Sequence, residues 1–137
     1  MRGMVLGLAL ATLACAPARA AELELAVRGI AHDKGNLRMA VYADAESFRK
    51  EPRARVVKVR PTRSGELDER IELPPGRYAV IVYHDENGNG DMDRFLGMIP
   101  TEGYGLSNNP EVSGPPRFEE CSFDLVDSLR GGIDLRY

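Results

Sequence analysis

The feature that most constrains this fold is a two-residue alternation of apolar and polar side chains, which recurs along most of the chain after residue 20. Successive side chains of a β-strand point to opposite faces of a sheet, so this alternation predicts strands with one buried face. Residues 78–83 are apolar at every position and predict a central strand that is buried on both faces. Seven short segments follow these patterns: 23–27, 37–42, 57–59, 67–73, 78–83, 121–125 and 133–137.

Seven short strands predict an all-β domain, a seven-stranded antiparallel β-sandwich of the transthyretin or immunoglobulin type with one long irregular loop. The exception is the segment 44–50, where Asp44 is placed to cap one helical turn before Pro52 stops it. The corner Pro74-Pro75-Gly76 precedes Tyr78, and a tyrosine at such a position often bonds back to its corner. This corner resembles those of transthyretin-like (prealbumin-like) modules, and the resemblance concerns the fold alone.

The start of the chain has the three parts of a secretory signal peptide. Arg2 is the charged start, residues 4–14 are apolar, and Ala18-Arg19-Ala20 is an A-x-A cleavage site. We therefore expect residues 1–20 to be removed and residues 21–137 to form one periplasmic or secreted domain. The apolar run is too short to span a membrane. The residues before Cys15 faintly resemble a lipoprotein cleavage box, which leaves lipidation there open.

The expected mature domain is acidic and has one cysteine. The whole chain has a formal net charge of −3, and the charged residues of the leader are all basic. An exported acidic domain is not expected to bind nucleic acid, and no second apolar segment predicts a membrane span. Cys121 cannot form an internal disulfide alone, and its alternation with Phe123 and Leu125 predicts a buried, inert thiol in a strand.

The strongest functional signal lies in residues 84–93, where oxygen-bearing side chains occupy every second position. Calcium coordinates six to eight oxygens, and a short loop supplies them only if it turns sharply. Gly88 and Gly90 permit that turn because glycine adopts positive φ without steric cost. The match to D-x-[DN]-x-[DN]-G is complete through Gly90, but Leu96 stands where a helix–loop–helix site has its bidentate glutamate. The predicted Ca²⁺ ligands are Asp85, Asn87, Asn89, Asp91 and Asp93.

A solvated turn is the competing interpretation of this loop. Asn-Gly is a favoured hairpin dipeptide, and Asp, Asn and Gly dominate turns for reasons unrelated to metal. A simple hairpin needs about two turn residues, however, and residues 85–93 hold four acids and no base. Such acids repel one another unless a cation or water screens them. Both interpretations therefore stay open.

Residues 94–117 form the predicted long loop, which is rich in Gly and Pro. Loops of this length are usually functional or disordered, and large apolar residues such as Phe95 and Tyr104 argue against disorder. We expect this loop to fold back beside the acidic turn. Ser107, Asn108 or Asn109 could then complete a calcium shell.

Taken together, these motifs resemble the bacterial domain-of-unknown-function family 2141. The resemblance covers essentially the whole of residues 21–137 and implies a small exported β domain without an assigned activity. Asp91 and Cys121 depart from the family pattern, in which a basic and a small residue are usual. The matching residues are 84–90, Asp93, Gly97, Pro100, 102–109 and 114–118.

Catalysis is one competing function. His84 beside Asp85 could act as a base, and Ser107 or Cys121 as a nucleophile, but the sequence has no nucleophile motif, and His32 lies in a predicted turn. A zinc site needs three or four nitrogen, sulfur or carboxylate ligands, whereas the loop is rich in oxygens that suit a harder cation. The position of His84 predicts a strand-end histidine bonded to loop backbone. We therefore expect a non-enzymatic module.

An envelope ligand is the other competing function. Residues 49–63 hold seven Lys or Arg and one acid, Glu51, which suits an anionic polymer or a lipid head group. Basic side chains on an outward strand face also protect a sheet edge from pairing with other strands. The alternative function is thus a metal-free module that binds an anionic, peptide or glycan envelope ligand through residues 94–117 or 49–63.

Overall fold

The computed structural model describes residues 19–90, 94–95, 99–100 and 102–137, which form mostly β-strands in two main sheets. The strands are β1 (Ala21–Ile30), β2 (Asn36–Tyr42), β3 (Val56–Pro61), β4 (Gly65–Leu73), β5 (Gly76–Asp85), β6 (Arg94–Phe95), β7 (Ile99–Pro100), β8 (Tyr104–Leu106), β9 (Phe123–Leu125) and β10 (Ser128–Asp134). The first sheet has the order β10-β1-β4. The second has the order β3-β2-β5-β8, and β9 also pairs with β5. A small third sheet joins β6 and β7.

The mostly β domain is confirmed, but the strands differ in number from the seven predicted. The additional strands are β6, β7 and β8, all within the segment that was predicted to be irregular. In β8, Leu106 pairs with Ile81 and Tyr104 with Tyr83. Strands of two or three residues are too short to show alternation, so their pairing with a longer strand decides their structure.

The direction of one strand also differs from the prediction. The strand pairs are antiparallel except that β10 runs parallel to β1, with Glu22 opposite Ser128. Alternation indicates which face of a strand is buried and carries no information on the direction of its neighbour. Here the chain leaves the second sheet after β9 and enters the first sheet at β10, alongside β1.

The two main sheets share one apolar core. Leu23 in β1 and Ile71 in β4 pack in the same cluster as Met39 and Val82 from the second sheet. Full burial of such a side chain stabilises the fold by about 1.5–3 kcal/mol relative to exposure. The other face of β5 packs against a second apolar cluster that contains Ile81, so β5 is buried on both faces, as predicted.

The predicted tyrosine corner is present. The Tyr78 hydroxyl donates to the Pro74 carbonyl oxygen at 2.6 Å, and the ring is buried in the core. The bond ties the first residues of β5 to the turn that precedes them. It satisfies a polar group on an otherwise apolar side chain, which a buried tyrosine needs.

Two local predictions need correction. Cys121 is buried, but it ends the short helix α1 (Phe118–Cys121) and does not belong to a strand. Phe118 and Cys121 lie three residues apart, so one face of this helical turn meets the core. In the segment 44–50, Asp44 Oδ1 accepts the Ser47 backbone amide at 2.7 Å, as predicted for a cap. A 3₁₀ helix, Glu51–Arg53, then follows. It includes Pro52, which was predicted to stop the helical turn of residues 44–50.

Candidate functional site

Two turns meet at the end of β5. Asn36 pairs with Asp85, so the turn of residues 31–35 between β1 and β2 lies against the start of the acidic loop. Gly35 has a φ of +72°, and a Cβ atom there would lie 2.0 Å from the Asp85 carbonyl oxygen. The missing side chain therefore allows the turn to pack directly on the strand end.

The first predicted ligand, Asp85, organises the loop that follows it. Its side chain is only 2% exposed. Oδ1 accepts the amide of Asn89 at 3.1 Å, and Oδ2 accepts the amide of Gly90 at 2.8 Å. Gly88 and Gly90 have φ values of +71° and +80°, which confirms the predicted role of the two glycines in the turn.

The structure brings two predicted ligand oxygens together. The Asn87 Oδ1 atom lies 3.1 Å from the Asn89 amide, the same amide that donates to Asp85. The oxygens of Asp85 and Asn87 therefore face the same side of the turn. Of the other three predicted ligands, Asn89 donates this backbone amide, and Asp91 and Asp93 lie outside the described residues. An Asx turn without metal uses the same two hydrogen bonds, so this geometry fits both sequence interpretations.

The polar residues expected to complete a calcium shell are used elsewhere. Ser107 Oγ accepts the Val80 amide at 2.9 Å and donates to the Cys121 carbonyl at 2.5 Å. Asn108 donates to the carbonyl of Ser122, and the Asn109 amide group donates to Gly132 and accepts from Asp134. Val80 precedes Asp85 by five positions, which places the Ser107 hydroxyl roughly 16 Å away from the loop along the strand. The expectation that these side chains complete the shell is wrong.

A polar network pins the acidic loop to the body of the domain. The Tyr83 hydroxyl lies 2.8 Å from the Gly90 carbonyl oxygen and 2.7 Å from Glu51 Oε2. The Arg38 guanidinium binds the same Glu51 carboxylate, with Nε 3.1 Å from Oε1. Burial, followed by the bond to Glu51, raises the pKa of Tyr83 above its ordinary value. Tyr83 and Asp85 thus hold the Asn89–Gly90 turn from one face of β5.

The opposite face of the same strand end carries a cluster that the sequence did not reveal. His84 is fully buried, and its Nε2 lies 2.5 Å from the Lys34 carbonyl oxygen, which places it where a strand-end histidine bonded to loop backbone was predicted. His84 Nδ1 lies 2.7 Å from the Tyr137 hydroxyl. His32 Nε2 lies 2.6 Å from Glu86 Oε1. The rings of His32 and His84 are 4.5 Å apart, centroid to centroid.

The pairing of two strands, which the sequence does not reveal, brings this cluster together. The two histidines are far apart in the chain, but β2 and β5 pair, and the turn before β2 therefore meets the end of β5. His32 lies in that turn and His84 at that strand end. Alternation alone does not specify which strands are neighbours. The sequence therefore could not predict that the two histidines lie side by side.

The nucleophile candidates do not meet the histidines. Ser107 is buried and hydrogen-bonded to backbone on both sides. Cys121 is 0% exposed, and burial raises the pKa of its thiol to about 11. A thiol with a raised pKa and no solvent contact is a poor nucleophile. This supports the sequence-based expectation of an inert thiol.

The basic segment lies at a sheet edge. β3 is the outer strand of the second sheet, where outward basic side chains discourage pairing with another chain. Arg60 binds Glu69 through two nitrogens at 2.6 and 3.0 Å, and Arg38 binds Glu51. Acids therefore neutralise part of the positive charge around this strand.

A family model for an uncharacterized protein conserved in bacteria, DUF2141, matches residues 25–130. No curated protein and no solved structure matches the chain. Among the described residues, no helix has the length and apolar character that a membrane crossing requires.

Proposed function

Because the chain belongs to the bacterial family DUF2141, we propose that it is an exported, non-enzymatic binding module of the transthyretin-like sandwich type, with Ca²⁺ as a structural ion in loop 85–93. The observation that carries the calcium proposal is the buried carboxylate of Asp85. It gathers the Asn89 and Gly90 amides and lies on the same side of the turn as the Asn87 oxygen.

The donor set suits calcium better than softer metals. Asp85, Asn87 and Asn89 offer oxygens, which hard cations prefer, and Asp91 and Asp93 add two carboxylates in the sequence. The Gly90 carbonyl is held by Tyr83 on the body side of the turn, so the shape of residues 85–90 is fixed before an ion arrives. Since Ser107, Asn108 and Asn109 are used elsewhere, water completes the shell.

The expected affinity is low. Without a bidentate glutamate we expect a dissociation constant on the order of 10⁻⁴–10⁻³ M, the range of extracellular calcium modules. At a calcium concentration several-fold above this dissociation constant, the ion stabilises the domain by about 1 kcal/mol. That corresponds to a rise of a few degrees in melting temperature, while Mg²⁺ gives less because it demands stricter octahedral geometry.

Two substitutions at one position test the calcium proposal. Asn87→Asp adds a charged ligand, so it should destabilise the calcium-free domain and enlarge the rise in melting temperature with calcium. Asn87→Ala removes an oxygen and should reduce that rise. Thermal unfolding with calcium or with chelator measures both. Equal melting temperatures for the wild type in the two buffers would show that the loop is only a turn, and so would an unchanged calcium response of Asn87→Asp.

Export is proposed from the start of the fold. β1 begins at Ala21, the first residue after the predicted cleavage site, and its side chain is buried. Residues 19 and 20 are exposed and lie outside β1, so the first sheet does not include them. Mass spectrometry of the protein from its native envelope should find a chain that starts at Ala21. A cytoplasmic chain that keeps residues 1–20 would refute export.

The metal-free alternative is an anionic envelope ligand on the basic edge strand. Its supporting observation is the position of β3 at the edge of the second sheet, where Arg60 in the strand and Arg55 just before it are exposed. The chain should then bind anionic vesicles more tightly than neutral vesicles. This binding should weaken with added salt and in Arg55→Gln. Equal affinity for the two kinds of vesicle would exclude this alternative.

A further inference from the structure

The chain has two histidines in all, and they lie together with a carboxylate. One comes from the turn of residues 31–35, and the other from the end of β5, where Glu86 follows two positions later. We propose that His32, His84 and Glu86 bind one divalent transition-metal ion. This site would share no ligand with the calcium site, because the side chains of His84 and Asp85 lie on opposite faces of the strand.

The spacing of the donor atoms carries the proposal. One ligand atom from each of the three side chains lies within 4.8 Å of the other two. In a tetrahedral site, with bonds of about 2.0–2.2 Å to nitrogen and oxygen, the ligand atoms are about 3.3 Å apart. The remaining difference is within the reach of side-chain rotation. His32 and Glu86 can rotate because their side chains are 36% and 29% exposed, while buried His84 supplies the fixed ligand.

The donor types select the class of ion. Two imidazoles and one carboxylate suit Zn²⁺, Co²⁺, Ni²⁺ or Cu²⁺, whereas Ca²⁺ takes oxygens almost alone. Three protein ligands also leave a coordination position for water or an external ligand. The part-exposed side chains of His32 and Glu86 place this open position towards solvent.

The hydrogen bonds of His84 assign its tautomer. A carbonyl oxygen only accepts, so Nε2 carries the proton that bonds to Lys34, and Nδ1 carries the lone pair. A metal-binding histidine typically donates its second nitrogen to a backbone carbonyl in this way, which fixes the ring. The turn that holds Lys34 packs tightly on Asp85 through Gly35. The hydrogen bond from His84 Nε2 to the Lys34 carbonyl is therefore hard to break.

The other partner of His84 is easier to displace. Tyr137 is 59% exposed, and its hydroxyl donates to His84 Nδ1 while it accepts the Ala31 amide. Ion binding at Nδ1 replaces this hydroxyl. At His32, binding through Nε2 moves the ring proton to Nδ1 and gives up the bond from the Lys34 amide, which at 3.2 Å is long. Tyr137 therefore competes with the ion for the same lone pair.

The test is titration of the untagged, chelator-stripped chain with Zn²⁺ by calorimetry, with Co²⁺ absorption as a report on coordination. We expect one ion per chain. His32→Ala and Glu86→Gln should each weaken binding by at least the 10–100-fold that the loss of even a supporting group causes. Tyr137→Phe should tighten binding, because it removes the competing hydroxyl. His84 is too buried for a clean substitution.

Matched variants separate this site from general charge effects. Glu66→Gln makes the same charge change at an exposed position of β4 and should bind Zn²⁺ like the wild type. Asn87→Ala removes a proposed calcium ligand and none of the three zinc ligands, so it should also bind Zn²⁺ like the wild type. The proposal is overturned if His32→Ala binds as tightly as the wild type, or if Glu66→Gln loses as much affinity as Glu86→Gln. Unchanged or weaker binding by Tyr137→Phe would refute the displacement at Nδ1.

Discussion

Replacement of Gly35 by alanine tests whether the close approach of two turns positions the site. Gly35 has a φ of +72°, a region that costs an L-residue about 1–2 kcal/mol. The new methyl group would also meet the Asp85 carbonyl oxygen at 2.0 Å and the Glu86 Cα at 2.8 Å. These contacts are backbone atoms of a paired strand, so relief requires movement of the turn, at about 1–3 kcal/mol. We expect Gly35→Ala to destabilise the domain by about 2–5 kcal/mol.

Gly88 provides the matched control. Its φ is +71°, nearly the same, but no atom lies within 4 Å of a Cβ there. The backbone strain and the loss of unfolded-chain entropy are then common to both variants, and their difference reports the close approach alone. Urea unfolding in chelator gives both free energies by linear extrapolation. If Gly35→Ala costs no more than Gly88→Ala, the turn is not packed on the strand end as described.

Three further outcomes follow from the fold. Tyr78→Phe should cost about 0.5–1.5 kcal/mol for the lost bond to Pro74, and Tyr78→Ala about 3–5 kcal/mol, so equal costs by urea unfolding would contradict the corner. The Arg60 hydrogen bonds hold the pKa of Glu69 below its ordinary value of 4.5, so this pair stabilises the fold above that pH and loses its effect as the pH falls. Glu69→Gln should therefore flatten the decline in stability on acidification, which a urea series from pH 7 to pH 3 measures. Cys121 should react with a thiol reagent only when the chain unfolds, and rapid labelling of the native domain would contradict its burial.

Local chemistry made much of the fold predictable. Alternation located the long strands because each buries one face, and the uniformly apolar residues 78–83 indicated a strand between two apolar clusters. The bond from Tyr78 to its corner and the positive φ values of Gly88 and Gly90 also follow from short-range rules. Each of these features depends on residues that are close together in the sequence.

The features that escaped prediction depend on strand neighbours. The parallel pairing of β10, the short strand β8 and the histidine cluster all require knowledge of which strands lie side by side. Cys121 was wrongly placed in a strand because one helical turn, with Phe118 and Cys121 buried three residues apart, is too short to show a period. The residues 107–109 were expected to supply calcium ligands, but their polar groups bond to backbone atoms elsewhere in the fold.

The parallel pairing of β1 with β10 has a consequence for the timing of folding. β1 is the middle strand of its sheet, and one of its two partners is the last strand along the chain, with Leu23 opposite Leu129. Pairings between such distant residues form slowly, because a long loop must close before any contact forms. A chain that emerges with its first strand ahead cannot complete its first sheet until β10 has followed. Under the proposed export, this order of strands would delay completion of the first sheet until β10 has crossed the membrane.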